Sequence, residues 1–237
     1  MKISDQLPSS AILHDFEDAQ LLATTLAERV ADALVQCLQD KPRALLALSG
    51  GNTPKLFLRA LSEQSLEWQR VDVVLVDERW VPLQSPDSNE AMIRRELKRN
   101  AAKDISIYGL KTPELHPESA LSYLEQRLNG LGWPIDVLVL GMGADGHTAS
   151  LFPGMANLDQ ALHGHDQWLW VARPDGQALP RVSLSGSVLT QAMHCFLHIE
   201  GEDKREALLR ACERKSPQSD PIWFILERRH VHIYWAP

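Results

Sequence analysis

Long apolar runs are missing from this chain. No stretch of 18 consecutive apolar residues occurs among its 237 residues, so no membrane-spanning helix is expected. The opening MKISDQLPSS lacks the apolar core of a secretory signal. Cysteine is scarce. The three present, Cys37, Cys195 and Cys212, are widely separated and show no C-x-x-C spacing, which excludes a disulfide framework and a cysteine-built zinc cage. Positive charge is not in excess either. A formal net charge of −7 excludes nucleic acid or an anionic membrane as the main partner, while leaving room for a locally basic cleft. No internal repeat or low-complexity linker breaks the sequence. The expectation is a reduced, cytoplasmic protein forming one domain over residues 1–237, long enough to bury a substantial core.

What is present alternates. Asp15–Leu38 carries apolar residues at three- and four-residue spacing, a helix pattern with Asp15 placed to cap it. Lys41-Pro42 stops that run, and Arg43–Ser49 reads as a buried strand. Thr53–Ser62 follows as a helix, with Thr53 as N-cap and Pro54 in the first turn. Val71–Asp77 and Ile135–Leu140 read as strands, and Asn89–Leu97 and Ser119–Leu128 as helices. His194–Glu200 and His230–Ala236 read as strands flanking the helix Asp203–Cys212. Strands that are apolar throughout belong to a sheet covered on both faces. The order predicts an α/β fold, a doubly wound, mostly parallel sheet with helices on both faces. Pro174–Pro180 is too short for a domain boundary and reads as a loop beside the site.

Such a fold says where to look, because ligands of open parallel sheets bind beyond the carboxyl ends of the strands. Four segments qualify: Ser49–Thr53, Asp77–Arg79, Gly141–His147 and Glu200–Lys204. In the first, Ser49, Gly50, Gly51, Asn52 and Thr53 make a strand-to-helix turn. Its backbone N–H groups and the helix N-terminus suit an anion, and it would serve equally as a plain tight turn. It is not a Walker A loop. In the second, Asp77 and Glu78 would hold Arg79 so that its guanidinium meets a ligand oxyanion; the alternative is a surface salt-bridge cluster.

The third segment spells G-x-G-x-x-G with Gly141, Gly143 and Gly146. A dinucleotide loop requires a long helix after these glycines, and Pro153-Gly154 ends the segment too soon. What remains is Asp145 and His147, a carboxylate two residues from a histidine, suited to proton transfer near neutral pH. Arg181 and Lys204 would converge with the first turn on a phosphate, or else stand as solvated charges. The other histidines show no H-E-x-x-H pair and no third ligand, so no metal is assigned.

Three blocks together, LALSGGNTPKLF, VLVDERWVPLQSPDSNEAMIRREL and VLVLGMGADGHTASLFPG, resemble the 6-phosphogluconolactonase family. The later RVSLSGSVLTQA and GEDKREAL resemble its remaining blocks, in the same order. The resemblance implies the sugar-phosphate isomerase type of α/β fold, a phosphosugar lactone substrate and no cofactor. It also implies catalytic roles for His147, Asp145 and Arg79. Substrate and phosphate contacts would fall on Ser49, Gly50, Gly51, Asn52, Thr53, Asp77, Arg181 and Lys204. Glucosamine-6-phosphate deaminases share the fold, but their comparable block carries an acid five residues after the histidine, where this chain has Phe152. Their D-E-Y is D-E-R here, at Asp77–Arg79. A non-catalytic sugar-phosphate sensor is the third alternative; such a protein would be expected to lose the histidine or its acid, and both are present.

Overall fold

The computed structural model describes residues 7–174, 176 and 179–237. The expectations for the first six residues, and for Asp175, Gln177 and Ala178 of the Pro174–Pro180 loop, lie outside the described residues.

The chain opens with β1 (Ala11–Asp15), α1 (Ala19–Asp40), β2 (Ala44–Leu48), α2 (Lys55–Ser62), β3 (Val71–Leu75) and the short β4 (Asp77–Arg79). It continues with α3 (Asn89–Leu97), β5 (Ser106–Tyr108), α4 (Leu121–Leu128), β6 (Val137–Leu140), α5 (Leu158–His163) and β7 (Leu169–Ala172). It ends with β8 (Arg181–Leu184), α6 (Gly186–Leu189), β9 (His194–Glu200), α7 (Glu202–Arg214), α8 (Ile222–Leu226) and β10 (Val231–Ala236). Seven strands form one sheet in the order β1-β10-β9-β6-β2-β3-β5, every neighbouring pair parallel. β4, β8 and β7 form a small antiparallel sheet.

Sequence explains the frame. All five residues of β2 and of β3 are buried, as a strand covered on both faces requires. Leu22, Leu26, Val30, Leu34 and Leu38 recur every four residues along α1 and bury its inner stripe. α1 and α2 cover the sheet face that carries Phe196 and His198, where the Phe57 ring meets the His198 ring edge-on at 6.0 Å. α7 covers the opposite face, with the Arg205 guanidinium 4.6 Å from the Trp235 ring.

Several local expectations needed correction. Asp15 does not cap α1; it ends β1, and Asp18 is the cap, its carboxylate accepting from the Leu21 N–H at 2.8 Å. Thr53 is not the cap of α2 either. Pro54 stands there in helical conformation without a side-chain bond, because the Thr53 hydroxyl is engaged by Lys204. The strand read as Val71–Asp77 is two strands, since Asp77 leaves the large sheet to pair with Ser183 of β8. β1, β5 and β8 were not anticipated; they have three to five residues and no sustained apolar run.

The topology fixes the ligand crevice. From β2 the chain builds outward through β3 and β5, then returns to the other side of β2 with β6 and builds the opposite way through β9 and β10. The reversal falls between β2 and β6, and in open sheets the crevice opens there, at the carboxyl ends. Those ends are Leu48 and Leu140, directly before Ser49–Thr53 and Gly141–His147.

Candidate active site

The turn after β2 is shaped by a missing side chain. A Cβ on Gly50 would sit 2.0 Å from Asn89 Oδ1, so glycine lets the first residue of α3 press against the turn. Gly51 has φ +100° with open space around the position of a Cβ, leaving its backbone bare toward the crevice. The Ser49 hydroxyl accepts from the Gly141 N–H at 3.0 Å, tying the two strand ends across the switch point. The Thr53 hydroxyl accepts from Lys204 Nζ at 2.8 Å, which brings the start of α7 to the start of α2. Backbone amides, a helix N-terminus and an ammonium thus converge at one place, the composition of an anion site.

The Asp77–Arg79 segment is not a surface salt-bridge cluster. Glu78 is fully buried. Its carboxylate accepts from the Arg79, Asn89 and Glu90 N–H groups, each at 2.8 Å, and from the Ser88 hydroxyl at 3.0 Å. Burial pushes this carboxyl up, against those four hydrogen bonds that pull it down. Glu78 therefore holds Arg79 through its backbone and builds the start of α3, rather than pairing with the guanidinium as expected from sequence. Arg79 Nη1 instead donates to the Asp87 carbonyl at 2.9 Å and to Asn89 Oδ1 at 3.3 Å. Asp77 does not hold the guanidinium either; its carboxylate accepts from the Ser150 hydroxyl at 2.5 Å.

Arg79 and Arg181 are register partners across β4 and β8. Like charges directly opposite in a sheet repel, and at Arg181 the Asp77 carboxylate offsets part of that repulsion. Burial lowers the Arg181 guanidinium's pKa, the Asp77 carboxylate raises it, and Arg79 lowers it further.

The turn after β6 carries Asp145 and His147, the pair expected from sequence to transfer protons. His147 Nδ1 lies 2.5 Å from Asp145 Oδ1, and the His147 N–H donates to the same oxygen at 3.1 Å. Burial pushes the Asp145 carboxyl up, but the hydrogen bond and charge of His147 outweigh it, and its pKa lies below the ordinary value. Asp145 occupies Nδ1, so the neutral imidazole bearing its proton there presents a basic Nε2. The glycines serve packing. A Cβ on Gly143 would sit 2.2 Å from His147 Cε1, and one on Gly146 2.6 Å from Asp220 Oδ1. Beneath the turn, Arg210 joins the buried Asp220 (3.1 Å) to the Ala144 carbonyl (2.8 Å). The Phe152 ring lies 4.3 Å from the His147 ring, and the Arg181 guanidinium 5.0 Å from Phe152.

One cavity of about 220 Å³ collects these groups. Ser49, Gly50, Gly51, Asn52, Thr53, Asp77, Arg79, His147, Arg181 and Lys204 all line it. Asp145 is the one expected site residue outside the lining, and it reaches the cavity through His147. Two polar lining residues were missed from sequence, Asn89 and His198. Asn89 looked like an ordinary first helical residue; the signal for His198 was a histidine among the apolar residues Cys195, Phe196, Leu197 and Ile199 of its strand. Among the described residues no three His, Cys, Asp or Glu side chains form a metal-holding group, and no helix is long and apolar enough to cross a membrane.

A crevice so placed and so lined defines the class: an open α/β protein with a small-ligand site at the switch point of its parallel sheet. Comparison with known proteins narrows this. The sequence profile described as "Glucosamine-6-phosphate isomerases/6-phosphogluconolactonase" matches residues 17–235, and the chain belongs to that family. It is 40% identical to the 6-phosphogluconolactonase of Pseudomonas aeruginosa, covering 100% of both chains. It is 38% identical to that of Rhizobium meliloti over 96% of this chain and 100% of the relative. The crystal structure of a 6-phosphogluconolactonase from Shewanella baltica superposes with a TM-score of 0.94 at 31% identity, covering 98% of this chain and 100% of that one. A monomeric glucosamine-6-phosphate deaminase superposes with a TM-score of 0.79 at 19% identity, over 94% of this chain and 96% of that one, which shows a common fold alone.

Proposed function

We propose that this chain hydrolyses 6-phospho-D-glucono-1,5-lactone to 6-phospho-D-gluconate, the lactone-opening step of the oxidative pentose phosphate pathway, in the cytoplasm. The observation that carries the reading is the His147–Asp145 pair at 2.5 Å with Phe152 packed on the imidazole. The deaminase branch carries an acid at the Phe152 position for proton transfer to the sugar ring oxygen. A buried aromatic there supplies no such group.

The substrate phosphate rests against the Gly50–Thr53 amides and the cations of Lys204 and Arg181. That anchoring fixes the lactone and reduces the entropy cost of the reaction. Water attacks the lactone carbonyl carbon as His147 Nε2 takes its proton, with Asp145 stabilising the imidazolium that forms. The tetrahedral oxyanion is met by Arg79, a contribution of about 3 kcal/mol for one well-placed donor. When the intermediate collapses, the bond to the ring oxygen breaks and His147 returns the proton to that oxygen. The product is the open-chain acid.

The test is direct. The purified protein is expected to accelerate hydrolysis of the phosphorylated lactone above its spontaneous rate and to release no ammonia from glucosamine 6-phosphate. His147→Ala is expected to lower kcat by about 10²–10⁴; retention of the parent kcat would overturn the acid–base role. Lys204→Ala and Arg181→Ala are expected to raise KM for the phosphorylated lactone much more than for the unphosphorylated one. Equal damage to both substrates would sink the phosphate assignment.

A further inference from the structure

His198 belongs to neither the proton-transfer pair nor the cationic groups so far given roles. It sits in β9 with 2% of its surface exposed, yet lines the cavity together with Thr53 and Lys204. Its Nε2 lies 3.0 Å from Glu200 Oε1, and Phe57 closes on the ring edge-on. Its Nδ1 is buried and has no hydrogen-bond partner. Buried polar groups are almost always paired, and the other buried residues of β9, Cys195, Phe196, Leu197 and Ile199, are apolar, so an imidazole among them gains nothing in packing. One ring nitrogen is fixed by a carboxylate, while the other is buried and unpaired in a residue that lines the same cavity as Thr53 and Lys204.

We infer that His198 is a substrate-binding residue of the phosphate pocket, held by Glu200 through Nε2 and donating Nδ1–H to the phosphate in its imidazolium form. This rests on the phosphate reading given above and adds a residue to it. A phosphate dianion offers lone pairs only, so Nδ1 contacts it as a donor, and Nε2–H stays on the carboxylate. Both nitrogens then carry protons. In the empty pocket the Lys204 ammonium opposes that charge. With a dianion seated between them, the imidazolium is flanked by negative charge on both sides. Phosphate binding therefore favours the imidazolium form of His198 and is accompanied by proton uptake.

The groups around the ring decide whether other residues obscure this. On its own strand it faces Glu200, from α7 Lys204, and from β10 its register partner Tyr234, whose phenol burial pushes up and keeps neutral. Across the cavity stand Arg79, Arg181 and the His147–Asp145 pair. His147 is present in both the parent protein and His198→Leu, so whatever it contributes is common to the two measurements.

Sulfate is the suitable probe, because it stays a dianion throughout the useful pH range. Calorimetric titration of the full chain with sulfate, in buffers of different ionisation enthalpy, counts protons taken up. His198→Leu preserves an apolar contact with Phe57. Near pH 7.5 the parent protein is expected to take up more protons than His198→Leu, by roughly half a proton or more, and its sulfate Kd to rise by up to about tenfold per pH unit more steeply. Equal uptake and equal slopes overturn the role of His198 while leaving the phosphate pocket intact. Failure of sulfate and inorganic phosphate to bind the parent protein overturns the pocket and this inference together. Should His198→Leu fail to fold, the assigned His198 Cε1–H resonance of the parent protein gives the same answer. It moves toward its imidazolium position as sulfate is added, and an unmoved resonance refutes the role.

Discussion

Replacing Gly146 with alanine tests whether the glycines after β6 serve packing. Gly146 has φ +83°, and a Cβ there would lie 2.6 Å from Asp220 Oδ1, 2.9 Å from Asp220 Cβ and 3.0 Å from Asp220 Cα. The left-handed backbone alone costs alanine about 1–2 kcal/mol. The contact adds about 1–3 kcal/mol of overpacking, because a Cα cannot rotate out of the way. Asp220 is also fully buried and held by Arg210, and the Ile222 N–H is bonded to the Gly146 carbonyl at 3.0 Å. Gly154→Ala is the matched control, since Gly154 has φ +74° with nothing within 4 Å of the added atom. It bears the backbone cost without the clash. For a chain of this size, an excess of about 2 kcal/mol corresponds to roughly 4–8 °C in melting temperature. Scanning calorimetry on the two substituted proteins therefore expects Gly146→Ala to melt lower by that margin. It also expects kcat to fall only in Gly146→Ala, because the displaced turn carries His147. Equal melting temperatures, or an unchanged kcat in a destabilised Gly146→Ala, would refute the packing argument.

Two further expectations follow from the same site. The depressed Asp145 pKa means the folded state favours the carboxylate, so the stability it contributes is present above the ordinary value of 3.8 and lost as pH falls below it. Urea unfolding of Asp145→Asn and the parent protein should differ at pH 7, and the gap should close as pH falls progressively below 3.8; a gap that does not shrink on acidification would contradict the ion-pair origin. Glu78→Ala removes the acceptor for three backbone N–H groups and one hydroxyl around the start of α3. It is expected to lower unfolding free energy by about 3 kcal/mol or more, and a loss under about 1 kcal/mol would show that water replaces the carboxylate at little cost.

What the sequence disclosed divides along physical lines. β2, β3, β9 and β10 were legible because apolar residues predominate in each, and burial on both faces demands that. β5, β8 and β4 were not, since three or four residues of mixed character hold no period. They are strands only because a neighbour offers them hydrogen bonds. β1 was hidden for a related reason: as an edge strand it leaves Ile12 and Asp15 exposed, so its composition merges with the polar approach to α1. Candidate site residues followed the same division. Ser49–Thr53, Arg79 and His147 were found because topology alone sends strand ends to the crevice. Asn89 arrives from the start of a helix through a contact with Gly50 that only the folded chain makes.

That contact also explains why the candidate site depends on residues well outside it. Glu78 fixes the first turn of α3; α3 presents Asn89; Asn89 fits against the bare Gly50 and accepts from Arg79. Arg79 faces Arg181 across the small sheet. Arg79 is thus positioned by a buried carboxylate that accepts from its backbone N–H and builds the helix start presenting Asn89 to its guanidinium. The free energy that keeps like charges together comes from burial and hydrogen bonding one layer below the cavity. The Asp145–His147 turn is built in the same way, braced from beneath by Arg210 and Asp220. In both halves of the crevice the groups facing the ligand are fixed in position because the charged groups behind them are not free to move.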